Sequence, residues 1–139
     1  MAVKGALKFL KDRFGIEETI FEKYHLSEKG DVWITSKEAA SVQLPGTSRV
    51  GIRLIRVFKD GYKLTTAGIQ LFGKFATKNV VEINEDKVRD YLEGKDLNVG
   101  ELNCDEGQVI VKCGEDFLGS GLYMKGKIKN QLPKGRRWF

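Results

Sequence analysis

Phe117-Leu118-Gly119-Ser120-Gly121 and, after a short spacer, Gly126-Lys127-Ile128-Lys129-Asn130-Gln131-Leu132-Pro133-Lys134-Gly135 are the stretches on which the reading of this sequence turns. Lys127 and Lys129 stand two apart, so on a strand they share one face while Ile128 points to the other, towards a core. Pro133 has no amide hydrogen to give to a ladder and ends it. Lys125-Gly126 predicts the turn into this strand, and Gly114-Glu115-Asp116 the turn into the one before it. Gly119-Ser120-Gly121 has neither the lysine nor the third glycine of a phosphate loop, and reads as a tight strand turn.

Working outward, residues 108–112 form an apolar β-rich run and residues 79–83 another. Between them Asn84 is a good helix N-cap, Val88, Tyr91 and Leu92 form a helical stripe, and Gly94 stands where a C-cap glycine belongs. Short strands, glycine turns and one helix predict a small, partly closed β-barrel. The first half is mixed. Val3, Leu7, Leu10 and Phe14 make an amphipathic helix that Gly15 stops. Ile16, Ile20, Phe21 and Tyr24 predict a second, short helix, and residues 28–31 a turn into a strand at 32–35. Leu44-Pro45-Gly46-Thr47 predicts another turn. Residues 49–58 then read as a strand in which Val50, Ile52 and Leu54 alternate with Arg49, Gly51 and Arg53, while Ile55, Arg56 and Val57 break the alternation as a bulge or a change of face would. Asp60-Gly61 predicts a hairpin, and Thr65 or Thr66 a helix cap. The expected class is α+β: an N-terminal α/β region over residues 1–79, then a barrel over 80–139.

A length of 139 residues with 41% hydrophobic and 31% charged residues fits one compact domain or two small subdomains sharing a core, and fits neither disorder nor a membrane span. The start of the sequence lacks a secretory pattern, so the expected location is cytoplasmic. Two cysteines, Cys104 and Cys113, and one histidine, His25, do not give zinc-ligand spacing; buried thiols on neighbouring strands are expected, and a disulfide stays open. The net charge of +5 is concentrated: from Phe117 to the end there are six basic residues and no acidic one. Such a block predicts a polyanionic partner. Lys125, Lys127, Lys129, Lys134, Arg136 and Arg137 are the candidate phosphate contacts, and Asn130 a candidate to hydrogen-bond a base or the backbone. Trp138 is placed either to stack or to tuck into the core. Arg49, Arg53 and Arg56 either extend the basic surface or solvate a strand.

The two stretches quoted first resemble the signature of the PUA-like RNA-binding domain appended to Sun/Fmu-type RNA cytosine-5 methyltransferases: leucine-glycine-x-glycine, then lysine-asparagine-x-x-proline-lysine. Residues 80–97, with Tyr91-Leu92-Glu93-Gly94-Lys95-Asp96-Leu97, are similar to that domain's opening strand and helix. The likeness is close over 80–139, weak over about 30–79, and does not reach 1–29. It implies a module that positions structured RNA, tRNA or rRNA, for modification or ribosome assembly, with the backbone at Gly119 and Gly121 in close contact. Those enzymes carry a large catalytic domain whose cysteines sit in proline-cysteine and threonine-cysteine-serine contexts. Cys104 in Asn-Cys-Asp and Cys113 in Lys-Cys-Gly match neither.

The expectation is therefore a stand-alone RNA-binding protein in RNA modification or ribosome biogenesis, not an enzyme, without cofactor, metal or membrane partner. A modification enzyme or assembly factor is a further partner the resemblance allows. The alternative is an adaptor in a ribosome-assembly or tRNA-modification complex, held to its protein partner through the N-terminal helices.

Overall fold

A computed structural model of the chain describes residues 2–38 and 51–134. The expected turn at 44–47 and Arg49, and at the other end Arg136, Arg137 and Trp138, lie outside the described residues. Helix α1 (Ala2–Phe14) forms on the predicted stripe. Leu10 and Phe14 are fully buried, with Val3 and Leu7 against the same core. The second predicted helix shrinks to one 3-10 turn, Glu18–Phe21, and Tyr24 opens a strand instead. Strands β1 (Tyr24–Lys29), β2 (Asp31–Ser36), β3 (Ile52–Phe58) and β4 (Gly61–Leu64) pair consecutively and antiparallel in one sheet. Cross-strand partners such as Leu26 opposite Ile34 stabilise β1, and local spacing around Tyr24 carries no record of them.

In β3, Leu54 and Ile55 are both fully buried while Ile52 is exposed, the reverse of the alternation expected for Ile52. The cause is a β-bulge: Trp33 faces Arg53 and its neighbour Val32 faces Ile55, leaving Leu54 as the extra residue. Thr65 caps helix α2 (Thr66–Phe72), its hydroxyl accepting from the Gly68 amide (3.0 Å) and donating to the Arg53 carbonyl (2.7 Å). The first core gathers Leu10, Phe14, Ile16, Ile34, Leu54, Ile55, Leu64 and Ile69. Full burial of each large apolar side chain is favourable by about 1.5–3 kcal/mol before entropy is counted.

The second sheet has the order β5-β7-β8-β9-β6, built from β5 (Val80–Glu82), β6 (Leu97–Asn98), β7 (Gly107–Cys113), β8 (Asp116–Met124) and β9 (Lys127–Asn130). β5 runs parallel to β7, and the other pairs are antiparallel. Helix α3 (Glu85–Leu92) packs on one face through Tyr91, which is fully buried and donates its hydroxyl to the Ser120 carbonyl at 2.8 Å. This is the expected partly closed barrel in an α+β chain. Cys104 and Cys113 do not lie on neighbouring strands: Cys113 ends β7, Cys104 lies in the loop before it, and both are half-buried and unpaired.

The two sheets share structure. β7 alternates between cores, with Ile110 in the first and Val109 and Val111 in the second. At the end of α1 the Arg13 guanidinium donates to the carbonyls of Asp105 (2.7 Å), Glu106 (3.1 Å) and Gln108 (2.7 Å). Asn79 donates to the Arg13 carbonyl (2.6 Å) and accepts from the Asp105 amide (2.9 Å). The Gln108 amide closes both backbone valences of Leu64, at 3.0 and 2.8 Å.

Candidate nucleic-acid interface

On β9, Lys127 and Lys129 are exposed and Ile128 and Asn130 are buried, as the spacing predicts for the lysines. The register sets Lys129 opposite Leu122, and Lys127 between Met124 and Asn98. The hairpin turns on Lys125-Gly126, both in the left-handed region (φ +50° and +78°). That pair of signs suits a two-residue hairpin, since its twist matches the strands. Lys125 holds this unfavoured backbone while its amide donates to the Glu106 carboxylate at 3.0 Å. Lys134 is exposed beyond Pro133. None of Lys125, Lys127, Lys129 and Lys134 forms an ion pair among the described residues. Four uncompensated cations therefore lie on or beside one strand.

Among the described residues, the other three candidates, Asn130, Gly119 and Gly121, sit beneath that surface. Asn130 is 8% exposed. Its amide donates to the carbonyls of Tyr91 (2.7 Å) and Lys95 (3.0 Å), its oxygen accepts from the Leu132 amide (2.8 Å), and its own backbone amide is held by Asp96 (2.8 Å). Of the two partners expected for Asn130, this geometry supplies the backbone, to which both side-chain donors are given. Gly119-Ser120-Gly121 is no turn either: it runs through the middle of β8. A Cβ on Gly119 would meet the Tyr91 hydroxyl, and one on Gly121 would meet the Ile128 side chain and the Lys129 carbonyl. Both glycines are buried, so space for packing, not access for a ligand, accounts for them. Gly121→Ala is expected to cost about 1–3 kcal/mol through overpacking, read as a lower urea midpoint; an unchanged midpoint would refute the packing role.

A second basic feature lies where the two sheets meet. An open cavity of about 460 Å³ is lined by Trp33, Ile52, Arg53, Arg56 and Lys63 of the first sheet, Thr66 and Ala67 of α2 with its cap Thr65, and Gln131 and Pro133. Arg53 lies over the Trp33 ring (5.4 Å) and pairs with Asp31 (3.5 Å). Arg56 lies over Phe58 (5.3 Å) and faces Lys63 directly across the strands. Burial, then the Arg56 charge, pushes the Lys63 ammonium below its ordinary range. Burial, with Asp105 adding to it, pushes the Cys104 thiol up against the opposing pull of Arg13, and burial together with Glu85, Glu82 and Asp116 pushes up that of Cys113. Among the described residues, no three His, Cys, Asp or Glu side chains are grouped to hold a metal ion. No helix of the described residues is long and apolar enough to cross a membrane.

Comparison with known proteins bears on the barrel half. Residues 78–138 match the family model described as the methyltransferase RsmF PUA domain. These residues match a PUA domain. Ribosomal RNA small subunit methyltransferase F of Aeromonas salmonicida (strain A449) is 35% identical over 86 residues, 62% of this chain and 18% of that protein. Its counterpart in Aeromonas hydrophila is 30% identical over 105 residues, 75% of this chain and 22% of that protein. That of Shewanella oneidensis is 24% identical over 132 residues, 94% of this chain, so that likeness takes in the first half as well. The chain spans only 18% to 27% of the length of these relatives. The resemblance drawn from the leucine-glycine-x-glycine and lysine-asparagine-x-x-proline-lysine residues thus holds for the PUA domain. Within it, Asn130, Gly119 and Gly121 serve the barrel itself. The sequence reading missed Lys63 and Gln131 as companions of Arg53 and Arg56, since nothing local tells that β4 and the segment after β9 meet at one cavity.

Proposed function

We propose that this chain binds structured RNA, of the rRNA type, through the PUA domain's β9 face, and contributes binding rather than methyl transfer to rRNA modification. The observation that carries the reading is the alternation on β9: Lys127 and Lys129 stand exposed and, among the described residues, without ion pairs, flanked by Lys125 and Lys134, on a strand whose Ile128 is fully buried. Fixed, uncompensated cations displace counterions from a phosphate backbone and so give salt-dependent affinity. Arg136 and Arg137, outside the described residues, belong to the same basic segment of the sequence. Support also comes from the relatives, which are named ribosomal RNA small subunit methyltransferase F.

Titrating a labelled rRNA hairpin by fluorescence anisotropy at several salt concentrations tests this. Lys127→Ala/Lys129→Ala should weaken binding and reduce the logarithmic salt slope by about 1.4–1.8, two contacts at about 0.7–0.9 each. A wild-type chain that binds no structured RNA even at low salt would sink the proposal. A double variant with the wild-type slope would move the contact surface off β9.

A further inference from the structure

The β9 row does not end at Lys129. Gln131, two residues on, carries the same parity; its side-chain oxygen accepts from the Ser120 hydroxyl at 3.0 Å, and its backbone amide donates to the Ser120 carbonyl at 3.3 Å. Gln131 and Pro133 then form one wall of the cavity at the junction of the two sheets. From Lys127 to Gln131 a strand advances about 13 Å, so a chain lying along the lysine row is led into that cavity. A second link runs across the sheet. Lys129 faces Leu122, Leu122 faces Gln108, and the Gln108 side chain clasps the backbone of Leu64, next to Lys63.

The far wall is built for an anion. Arg56 and Lys63 are directly opposite on β3 and β4, an arrangement that disfavours a folded sheet when both side chains are charged. Among the described residues neither has an acidic partner. Arg53, by contrast, is tethered by Asp31 and laid on Trp33. That fixes its guanidinium plane at the cavity wall with two-fifths of the side chain still exposed. Beside it Ile52 is 43% exposed. Two unshared cations, one oriented planar cation and one exposed apolar side chain match the parts of a nucleotide: phosphate, base face and sugar. Burial and the Arg56 charge hold the Lys63 ammonium below its ordinary range, which an anion placed between the two would relieve.

We propose that this cavity is a phosphodiester subsite for the same RNA, in which Arg56 and Lys63 grip a backbone phosphate and Arg53 stacks on the adjoining base. The proposal rests on the RNA-binding reading above and adds the first half of the chain to the interface. It makes the binding surface a track that starts on the PUA domain and finishes on the four-stranded sheet.

Lys63→Glu separates binding from folding, because a carboxylate facing Arg56 replaces a repulsive cross-strand pair with an attractive one. The variant should melt no earlier than wild type, yet its RNA salt slope should fall by about 1.5, since the new carboxylate removes one cation from the phosphate and neutralises the other. Arg56→Gln should lower the slope by about half as much. A wild-type slope in Lys63→Glu, alongside the reduced slope of Lys127→Ala/Lys129→Ala, would overturn the subsite and leave the RNA-binding function standing. Absence of salt-dependent RNA binding by the wild-type chain would overturn both. The Lys63 side-chain resonance should shift on adding RNA and titrate at higher pH. Inorganic phosphate alone producing the same change at equal phosphate concentration would identify a free-anion site and overturn the assignment to RNA.

Discussion

Asn130→Ala is expected to destabilise the fold by about 2–4 kcal/mol while leaving the salt slope of RNA binding where it was. The substitution removes the donor to the Lys95 carbonyl and the acceptor of the Leu132 amide. An orphaned buried polar group costs about 1–3 kcal/mol. The Tyr91 carbonyl loses less, since the Gly94 amide also donates to it. Asn130→Asp preserves shape and the Leu132 contact but turns a carboxylate towards two carbonyl oxygens, so it should be no better than alanine. Urea unfolding measures the loss, and anisotropy well below the melting temperature measures the slope. A stable Asn130→Ala protein with a changed slope would return Asn130 to the RNA surface.

Arg13→Ala should cost about 2–3 kcal/mol, and Arg13→Lys should recover less than half of it. The guanidinium fork serves three backbone carbonyls of the loop into β7 at once, in a space that Gly107 leaves open beside it. Hydrogen bonds from a charged donor contribute about 1.5–3 kcal/mol each, reduced here because two of the three are exposed to water. A lysine ammonium has no planar fork to span the three. Thermal melts should show a drop of roughly 10 °C for the alanine variant. Hydrogen exchange should quicken at the Ile110 amide, which donates to the Asn79 carbonyl beside the clamp. A variant melting within a degree of wild type would show that the two sheets hold together without Arg13.

Both variants concern residues whose importance the sequence signals unevenly. Asn130 stands in a recognisable pattern, but the pattern reports a knot between β9, the end of α3 and Leu132, not a ligand contact. Arg13 is one basic residue at the end of an amphipathic helix, and nothing near it in sequence announces partners more than ninety residues away. Strand β1 escapes a sequence reading for a related reason: Tyr24 continues a helical spacing from Ile16, and only pairing with β2 overrides it.

Elements whose causes are local can be read from the amino-acid sequence without further help. The α1 stripe, the Thr65 cap, the Lys125-Gly126 hairpin and the alternation of Lys127, Ile128 and Lys129 each follow from residues within a few positions of one another. Together with the family pattern around Gly119 and Pro133 they suffice for a partly closed barrel with a basic strand. Which polar residues remain free for a ligand is settled by the folded arrangement instead. Burial spends Asn130, Gly119 and Gly121 on the barrel, because a polar group removed from water must find its partners within the fold and a glycine beside a packed tyrosine or isoleucine has no spare room. Folding also brings Arg53, Arg56, Lys63 and Gln131 to one cavity, since sheet pairing and the clamp at Arg13 join segments that the chain keeps far apart.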